Sequence, residues 1–161
     1  MKHFLLILMI IAQASMFCLG QENQKSVPAT SNVAGAEYPK IQTDLSVIFR
    51  VKAHDAKKVQ IDLGKLYDMT KDDQGVWSVT TDPQVPGFHY YSLVIDGVKV
   101  ADPASESFYG MGRMASAIEI PEKGIDFYTI KDVPHGALSS KYYYSEYTKS
   151  WRRLFVYTPP G

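Results

Sequence analysis

Residues 88–100 read FHYYSLVIDGVKV, and this stretch decides the fold class. Residues 88–95 are rich in aromatic and β-branched side chains, which favour extended strands. Asp96 and Gly97 then interrupt the apolar run before residues 98–100 resume it. A two-residue Asp-Gly loop fits a type I′ turn, because both central positions need positive φ and these residues tolerate it. The stretch therefore predicts a β-hairpin.

The segments on either side of this hairpin also alternate apolar and polar residues. Apolar side chains occupy every second position in residues 45–53 and 59–63, Trp77, Val79 and Thr81 continue the alternation, and a shorter segment covers residues 117–120. Turn-forming residues separate these segments, as in DDQG at residues 72–75. About seven short strands with regular turn signals, and no helical period between them, predict a β-sandwich.

The inward positions of these strands predict the core. Trp77 admits two interpretations, a buried ring or a platform on which a sugar stacks, and its place on the alternating face with Val79 favours burial. The residues expected to form the core are Leu45, Val47, Phe49, Val59, Ile61, Trp77, Val79 and Val94.

The N-terminus has the organisation of a secretory signal peptide. Lys2 precedes an apolar run over residues 4–12 that is too short to span a bilayer, and Gly20 is a suitable cleavage point. Cys18 offers an alternative, a lipoprotein anchor, which the bulky Phe17 before it disfavours. We expect a secreted or periplasmic protein whose mature form has no cysteine, and so no disulfide.

The composition argues against several classes of partner. Lysine plus arginine and aspartate plus glutamate each number 17, so no net charge draws the chain toward nucleic acid or an anionic membrane. We expect no membrane partner unless Cys18 is lipidated. The four histidines do not occur at metal-ligand spacing, and the sequence has no phosphate-binding or dinucleotide-binding motif. We therefore expect neither metal nor cofactor.

Serine-hydrolase chemistry would need a G-x-S-x-G elbow, which lifts the nucleophile above a sheet on a sharp turn. The chain lacks this motif. Ser139 and Ser140 follow Gly136 without a second glycine, and we interpret them as loop residues. The adjacent Asp72 and Asp73 fit a solvated turn better than an acid–base pair. We expect no catalytic residue and no ester hydrolysis by this chain.

Residues 47–120 resemble the immunoglobulin-like early-set domains found beside glycan-active enzymes, which include family forty-eight carbohydrate-binding modules. This resemblance implies a sandwich that serves either as a glycan-binding module or as a spacer. It rests on residues 49–51, 55–59, 69–72, 75–77, 86–97 and 102–104.

A second resemblance covers the C-terminal part of the chain. Residues 133–136 (VPHG) and 152–161, with Tyr143, Tyr144, Ser145 and Thr148, are similar to the opening of the esterase domain in carbohydrate esterase family one, which includes feruloyl esterases and enterochelin-esterase-like proteins. The resemblance implies the first hairpin of an α/β-hydrolase domain whose catalytic residues lie beyond Gly161, and it gives His135 a structural role.

Together these patterns predict an all-β immunoglobulin-like sandwich followed by the truncated start of a hydrolase domain. The expected divisions are a signal peptide at 1–20, a linker or leader at 21–40, the sandwich at 41–122, a linker at 123–132 and the truncated domain at 133–161.

Candidate binding residues are Tyr91, Phe108, Tyr109 and Arg113. The last three belong to residues 102–114, which we expect to form a loop too long to be a plain connection, and function and simple packing remain open for Phe108 and Tyr109. Tyr90 and Tyr91 must point to opposite faces of a strand, so one of them is available to a partner.

Two functions fit these predictions. The first is an accessory module of a secreted carbohydrate esterase, which binds plant polysaccharide and contacts its own downstream esterase domain. The second is a structural spacer that stabilises the esterase and binds no sugar.

Overall fold

The computed structural model describes residues 25–110 and 112–161. The expected signal peptide and Cys18 lie outside these ranges. None of the described residues forms a helix, and accordingly none forms a helix long and apolar enough to cross a bilayer. The predicted all-β class is confirmed. The strands are β1 Val27–Pro28, β2 Lys40–Ile41, β3 Val47–Lys52, β4 Val59–Leu63, β5 Lys65–Asp68, β6 Thr70–Lys71, β7 Val76–Thr80, β8 Gly87–Ile95, β9 Val98–Val100, β10 Ser107–Gly110, β11 Arg113–Ile120, β12 Ala137–Ser145 and β13 Ser150–Thr158.

The chain divides into two compact units, one ending at Gly124 and the other comprising Ile125–Gly161. The first unit contains two antiparallel sheets. One sheet has the order β1-β2-β3-β7-β6, and the other has the order β10-β11-β8-β4-β5 with β9 also paired to β8. Strand β8 is the centre of the second sheet, because β11 pairs with its first half and both β4 and β9 pair with its second half.

The core of the first unit draws on both sheets. Phe49 of β3 meets Tyr91 of β8 edge to face, with ring centroids 4.9 Å apart. Strand β4 shows the expected alternation, with Val59, Ile61 and Leu63 buried. A sheet that buries one face against another is the arrangement of a sandwich. The core residues are Ala29, Ile41, Val47, Phe49, Val59, Ile61, Leu63, Met69, Trp77, Tyr91, Leu93, Ile118 and Ile120.

Most of the predicted core residues lie where the alternation placed them. Val47, Phe49, Val59, Ile61 and Trp77 are core residues, and Val79 packs against the core from a partly buried position. Val94 is buried but lies outside this core, on the same face of β8 as Ser92. Leu45 is a correction to the predicted first strand. It has a positive φ of 68° and packs only partly against the core, so β3 begins two residues later at Val47.

The predicted Asp-Gly hairpin is confirmed. Asp96 and Gly97 have φ values of 48° and 88°, and they join β8 to β9 in antiparallel register. The Asp96 side chain adds a second function at this turn. Its Oδ1 atom accepts hydrogen bonds from the backbone N–H groups of Lys57 and Lys58, at 2.9 and 2.8 Å, which ties the turn to the segment before β4.

Residues 25–40 fall in the segment that the sequence predicted to be a linker or leader, and they pack against the sandwich. Strand β1 pairs with β2, and the Ser31 hydroxyl donates a 2.6 Å hydrogen bond to the carbonyl oxygen of Ala117 in β11. Asn32 forms an isolated bridge with Ser105. The segment has no apolar period because it is held by backbone and hydroxyl bonds, and such bonds leave little trace in a hydropathy pattern.

Residues 102–114 also differ from the prediction of a loop. Ser107–Gly110 form β10, which pairs with β11 in a register that aligns Phe108 with Ala115 and Gly110 with Arg113. Strand β11 therefore begins at Arg113, earlier than the predicted strand at residues 117–120.

The second unit, Ile125–Gly161, contains one antiparallel hairpin. Strands β12 and β13 pair over nine positions, from Ala137 opposite Thr158 to Ser145 opposite Ser150. The predicted pairing of these two segments is confirmed, and Ser139 and Ser140 lie within β12 rather than in a loop. Large apolar side chains are exposed along both strands: Leu138, Tyr142, Tyr143, Tyr144, Trp151, Leu154, Phe155, Val156 and Tyr157.

Candidate functional site

The outer face of β8 carries aromatic side chains. Successive residues of a strand point to opposite faces, so Phe88, Tyr90 and Ser92 share one face while Tyr91 and Leu93 enter the core. Phe88 is 47% exposed, although the core lies directly behind it. The outer face of this central strand is therefore a surface with an apolar centre.

Three rings form what we call the aromatic cluster: Phe88, Tyr90 and Phe108. Phe88 meets Tyr90 with ring centroids 5.1 Å apart at 90°, and it meets Phe108 with centroids 5.2 Å apart at 87°. Edge-to-face contacts of this kind stabilise aromatic pairs beyond the area that they bury. The cluster is thus held together by its own contacts while Phe88 stays partly exposed.

The hairpin β10–β11 brings Phe108 to this cluster. Strand β11 pairs with β8 only from Ser116 onward, so the residues before Ser116 have no register partner on β8. Gly110 lies so close to the Tyr90 ring that a Cβ atom there would overlap it. Arg113 donates a 3.1 Å hydrogen bond from Nη1 to Ser92 Oγ. These contacts place the hairpin against the outer face of β8.

A cleft of about 550 Å³ opens beside the aromatic cluster. Phe88 and Tyr90 line its apolar side, and Asp62, Ser92 and Arg113 are among the polar groups around it. Gln84 and the backbone of Gly64 lie at its border. A concave, partly apolar surface with a few converging polar groups is the usual form of a small-ligand site.

The two charged side chains of the cleft differ in their partners. The Asp62 carboxylate pairs with Lys99, with a Nζ–Oδ2 distance of 2.5 Å. Arg113 has no carboxylate within 4.0 Å among residues 25–110 and 112–161, and its guanidinium donates a hydrogen bond to the neutral Ser92 hydroxyl. The cleft therefore contains a cation whose charge is not neutralised locally.

Tyr91 is a correction to the predicted binding residues. It is 1% exposed, and its hydroxyl donates a 2.8 Å hydrogen bond to Asp102 Oδ2. Burial raises the pKa of Tyr91, and the negative charge of Asp102 adds to the effect. A side chain this enclosed serves the core, and its neighbour Tyr90 takes the outer position that a partner can reach.

The other three predicted residues do not form one surface. Phe108 joins the aromatic cluster and Arg113 lines the cleft. Tyr109 points to the opposite side of the hairpin, where its register partner is Met114, and these two side chains are 74% and 52% exposed. The hairpin thus presents two apolar surfaces, one in the aromatic cluster and one facing away from it.

Sequence reasoning missed Phe88, Ser92 and Asp62 as site residues. The period of two along β8 groups Phe88 with Tyr90 and Ser92 on one face, so this part of the site could have been found. The approach of Asp62 follows from the pairing of β4 with β8, which places Asp62 opposite Ser92. No local sequence pattern predicts that β4 pairs with β8.

A second and less polar cleft lies at the other sheet. It has a volume of about 710 Å³ and is lined by residues that include Val27, Ile41, Leu45, Pro86 and Pro121. Within the described part of the chain, no three His, Cys, Asp or Glu side chains lie close enough together to hold a metal ion.

Comparison with known proteins gives a strong sequence relative. No protein-family model matches the chain. An endo-1,4-beta-xylanase/feruloyl esterase of Xylanibacter ruminicola is 42% identical over 141 residues, which cover 84% of this chain. The chain spans 19% of that relative's length.

Solved structures resemble the chain in fold. The enterobactin esterase of Shigella flexneri, solved with 2,3-dihydroxy-N-benzoyl-glycine, superimposes with a TM-score of 0.50 and 18% identity, over 68% of this chain and 39% of that one. An enterochelin esterase structure from the same organism has a TM-score of 0.50 and 14% identity, over 87% of this chain and 44% of that one. The chain is thus similar in sequence to a segment of a xylanase/feruloyl esterase, and it shares a fold with parts of an enterobactin esterase and an enterochelin esterase.

Proposed function

We propose that this chain is a non-catalytic accessory module of a secreted carbohydrate esterase that acts on plant polysaccharide esters. In this proposal the first unit is an early-set, immunoglobulin-like domain that holds glycan, and the hairpin β12–β13 is the opening of an α/β-hydrolase domain. The name of the Xylanibacter ruminicola relative supports the class of enzyme, and its greater length leaves room for a catalytic domain.

The observation that carries the binding function is the exposure of the aromatic cluster beside the cleft. Keeping a ring such as Phe88 about half exposed on a central strand forgoes part of the burial free energy that the ring could contribute. Aromatic rings stack on the apolar faces of sugar rings, and polar groups beside them can bind the hydroxyls. The aromatic cluster and the cleft offer both kinds of contact to one sugar residue.

Affinity electrophoresis tests this function. We expect the chain to be retarded in gels that contain xylan or arabinoxylan, and Phe88→Ala combined with Phe108→Ala to remove the retardation. Phe127→Ala is the matched control, because Phe127 is an exposed ring of the other unit that contacts Tyr128. Glycogen in a parallel gel reports on preference for starch-like polymers. Unretarded migration of the unmodified chain in every gel would remove the binding function.

The spacer is the second candidate function, and the exposed pair Tyr109 and Met114 favours it. Aromatic and methionine side chains are enriched at the centres of protein interfaces. In this alternative the outward surface of the hairpin β10–β11 docks against the esterase domain of the full-length protein. Tyr109→Ala with Met114→Ala should then lower the melting temperature of the full-length protein and leave glycan retention unchanged. If the module binds sugar, replacement of the aromatic cluster should instead reduce glycan retention and leave the melting temperature of the full-length protein unchanged.

A further inference from the structure

We propose that the cleft beside the aromatic cluster binds a sugar residue that carries a carboxylate, such as the uronic acid substituents of plant xylans. This inference rests on the proposed glycan-binding function and adds the charge of the ligand to it. Arg113 is the residue that selects the charge. The aromatic cluster supplies the contact to the sugar ring.

The charges of the cleft favour an anion. Lys99 neutralises the Asp62 carboxylate at 2.5 Å, whereas Arg113 has no acidic partner among the described residues. The remaining polar side chains of the lining include Gln84, His89 and Ser92, and none of them is a carboxylate. A negatively charged ligand therefore meets one unpaired cation and no unpaired carboxylate within the cleft. A neutral sugar would leave the Arg113 charge unmatched.

The geometry of Arg113 suits a carboxylate. Its guanidinium is oriented by the bond to Ser92 Oγ, and Ser92 is itself 1% exposed and fixed in the central strand. A guanidinium has five N–H donors in a planar fork, so one bond to a hydroxyl leaves donors for both oxygens of a carboxylate. Because the side chain is already held in place, less rotamer entropy is lost when the ligand binds.

The aromatic cluster lies on the same side of β8 as this guanidinium. Phe88 and Tyr90 line the cleft together with Arg113. A pyranose ring has an apolar face for such rings and, in a uronic acid, a carboxylate at its edge. One uronosyl residue can therefore contact the rings and the guanidinium at the same time. An aromatic acid, such as free ferulate, shares the ring and the carboxylate, and its binding has to be tested separately.

Titration of the unmodified chain with small ligands tests the proposal without any substitution. The ligands are methyl glucuronoside, methyl glucoside and ferulate, followed by nuclear magnetic resonance shifts of the chain. We expect methyl glucuronoside to bind about tenfold more tightly than methyl glucoside, which is the usual contribution of one charge-assisted contact. The preference should shrink as salt is raised, because the cleft is open to solvent. Equal affinity for the two glycosides would overturn the proposal, and tighter binding of ferulate would assign the cleft to an aromatic acid instead.

Substitution of Arg113 locates the effect. In gels that contain glucuronoxylan, Arg113→Gln should reduce the retardation to that measured with neutral arabinoxylan. Arg50→Gln is the matched control, because Arg50 is an arginine of the first sheet that packs over Tyr38. If Arg113→Gln does not fold, the relative affinities of the unmodified chain for methyl glucuronoside and methyl glucoside still test the proposal. If both polymers retard the chain equally and Arg113→Gln changes neither value, the preference for uronic acids is wrong and glycan binding itself is retained. Retention by neither polymer would remove both.

Discussion

Trp77 joins the first sheet to the core by its ring and to the backbone by its indole nitrogen. The side chain is 7% exposed, and Nε1 donates a 2.9 Å hydrogen bond to the carbonyl oxygen of Ala53. Trp77→Ala should lower the free energy of unfolding by about 3–5 kcal/mol, because it leaves a large cavity. Urea unfolding followed by circular dichroism measures the loss. Trp77→Phe keeps part of the packing and should cost less, whereas a nearly neutral Trp77→Ala would place the ring on the surface.

Tyr91 and Asp102 form a buried polar pair at the centre of the second sheet. Asp102 Oδ2 accepts from the Tyr91 hydroxyl and Oδ1 accepts from the backbone N–H of Ala104 at 2.9 Å, and the residue is 4% exposed. Tyr91→Phe should lower the free energy of unfolding by about 1–3 kcal/mol, because a buried carboxylate oxygen loses its donor. Chemical unfolding at pH 8 tests the expected loss, and an unchanged midpoint would mean that water replaces the hydroxyl at no cost.

The same pair predicts a dependence on alkaline pH. Burial and the Asp102 charge raise the pKa of Tyr91 above its usual value of 10.0. The folded state therefore holds this proton more tightly than the unfolded state. The stabilisation is complete below about pH 10 and decreases as pH rises above it. The difference in unfolding free energy between the unmodified chain and Tyr91→Phe should narrow from pH 9 to pH 11. A constant difference over that range would contradict the raised pKa.

For single residues, the sequence predicted well which apolar side chains are buried, and it predicted less well which of two adjacent aromatic residues faces the core. The period of two placed Phe49 and Trp77 inward, because a polar residue, Arg50 or Ser78, follows each of them. Tyr90 and Tyr91 gave no such contrast, since both are amphipathic. The inward orientation of Tyr91 is accompanied by a partner eleven positions away, Asp102, which accepts a hydrogen bond from its hydroxyl. Long-range partners of this kind are not visible in a local pattern.

The hairpin β10–β11 is the element for which sequence reasoning was least complete. Residues 107–114 have glycines at two positions and no clear alternation, so length alone suggested a functional loop. The structure shows why the glycine at position 110 is there. It sits against the Tyr90 ring, and the absence of a Cβ atom allows the hairpin to approach the outer face of β8. In a sequence, a glycine that is needed for close approach cannot be distinguished from a glycine that forms a turn.

This close approach makes a prediction about Gly110. Gly110→Ala should lower the free energy of unfolding by about 1–3 kcal/mol through overpacking and should weaken glycan retention, because the methyl group pushes Tyr90 and the hairpin apart. In a Tyr90→Ala background the same substitution should cost much less, since the space is then vacant. A double-mutant cycle by thermal melting measures this coupling. Additive effects would mean that the hairpin does not depend on the Tyr90 contact.

The all-β class, the Asp-Gly turn and the pairing of the C-terminal hairpin followed from local patterns. Those features depend on residues close in sequence, such as Asp96 and Gly97. The candidate site followed only in part, because it is assembled from β4, β8 and the hairpin β10–β11. Pairing of β4 with β8 brings Asp62 to Ser92, 30 residues later in the chain, and only the fold makes them neighbours.

The two units differ in how their strands are covered, and this leads to a prediction for the whole chain. The first unit has a core shared by two sheets, whereas the hairpin β12–β13 is a single pair of strands with exposed apolar side chains. An isolated two-stranded hairpin is at best marginally stable in water. We therefore expect the second unit to open far more often than the first.

Limited proteolysis of the chain tests this difference. Trypsin should cut first at Lys131 or Lys141, and chymotrypsin near Phe127 and Tyr128, which lie exposed between Gly124 and β12. Two proteases of different specificity should thus leave a resistant fragment that ends within about the same fifteen residues, because local opening and not residue type sets the site of cleavage. Mass spectrometry of the fragments defines that end. Equal resistance through Tyr157 would contradict the expectation, since it would mean that the hairpin gains its stability from a partner surface that its own unit does not supply.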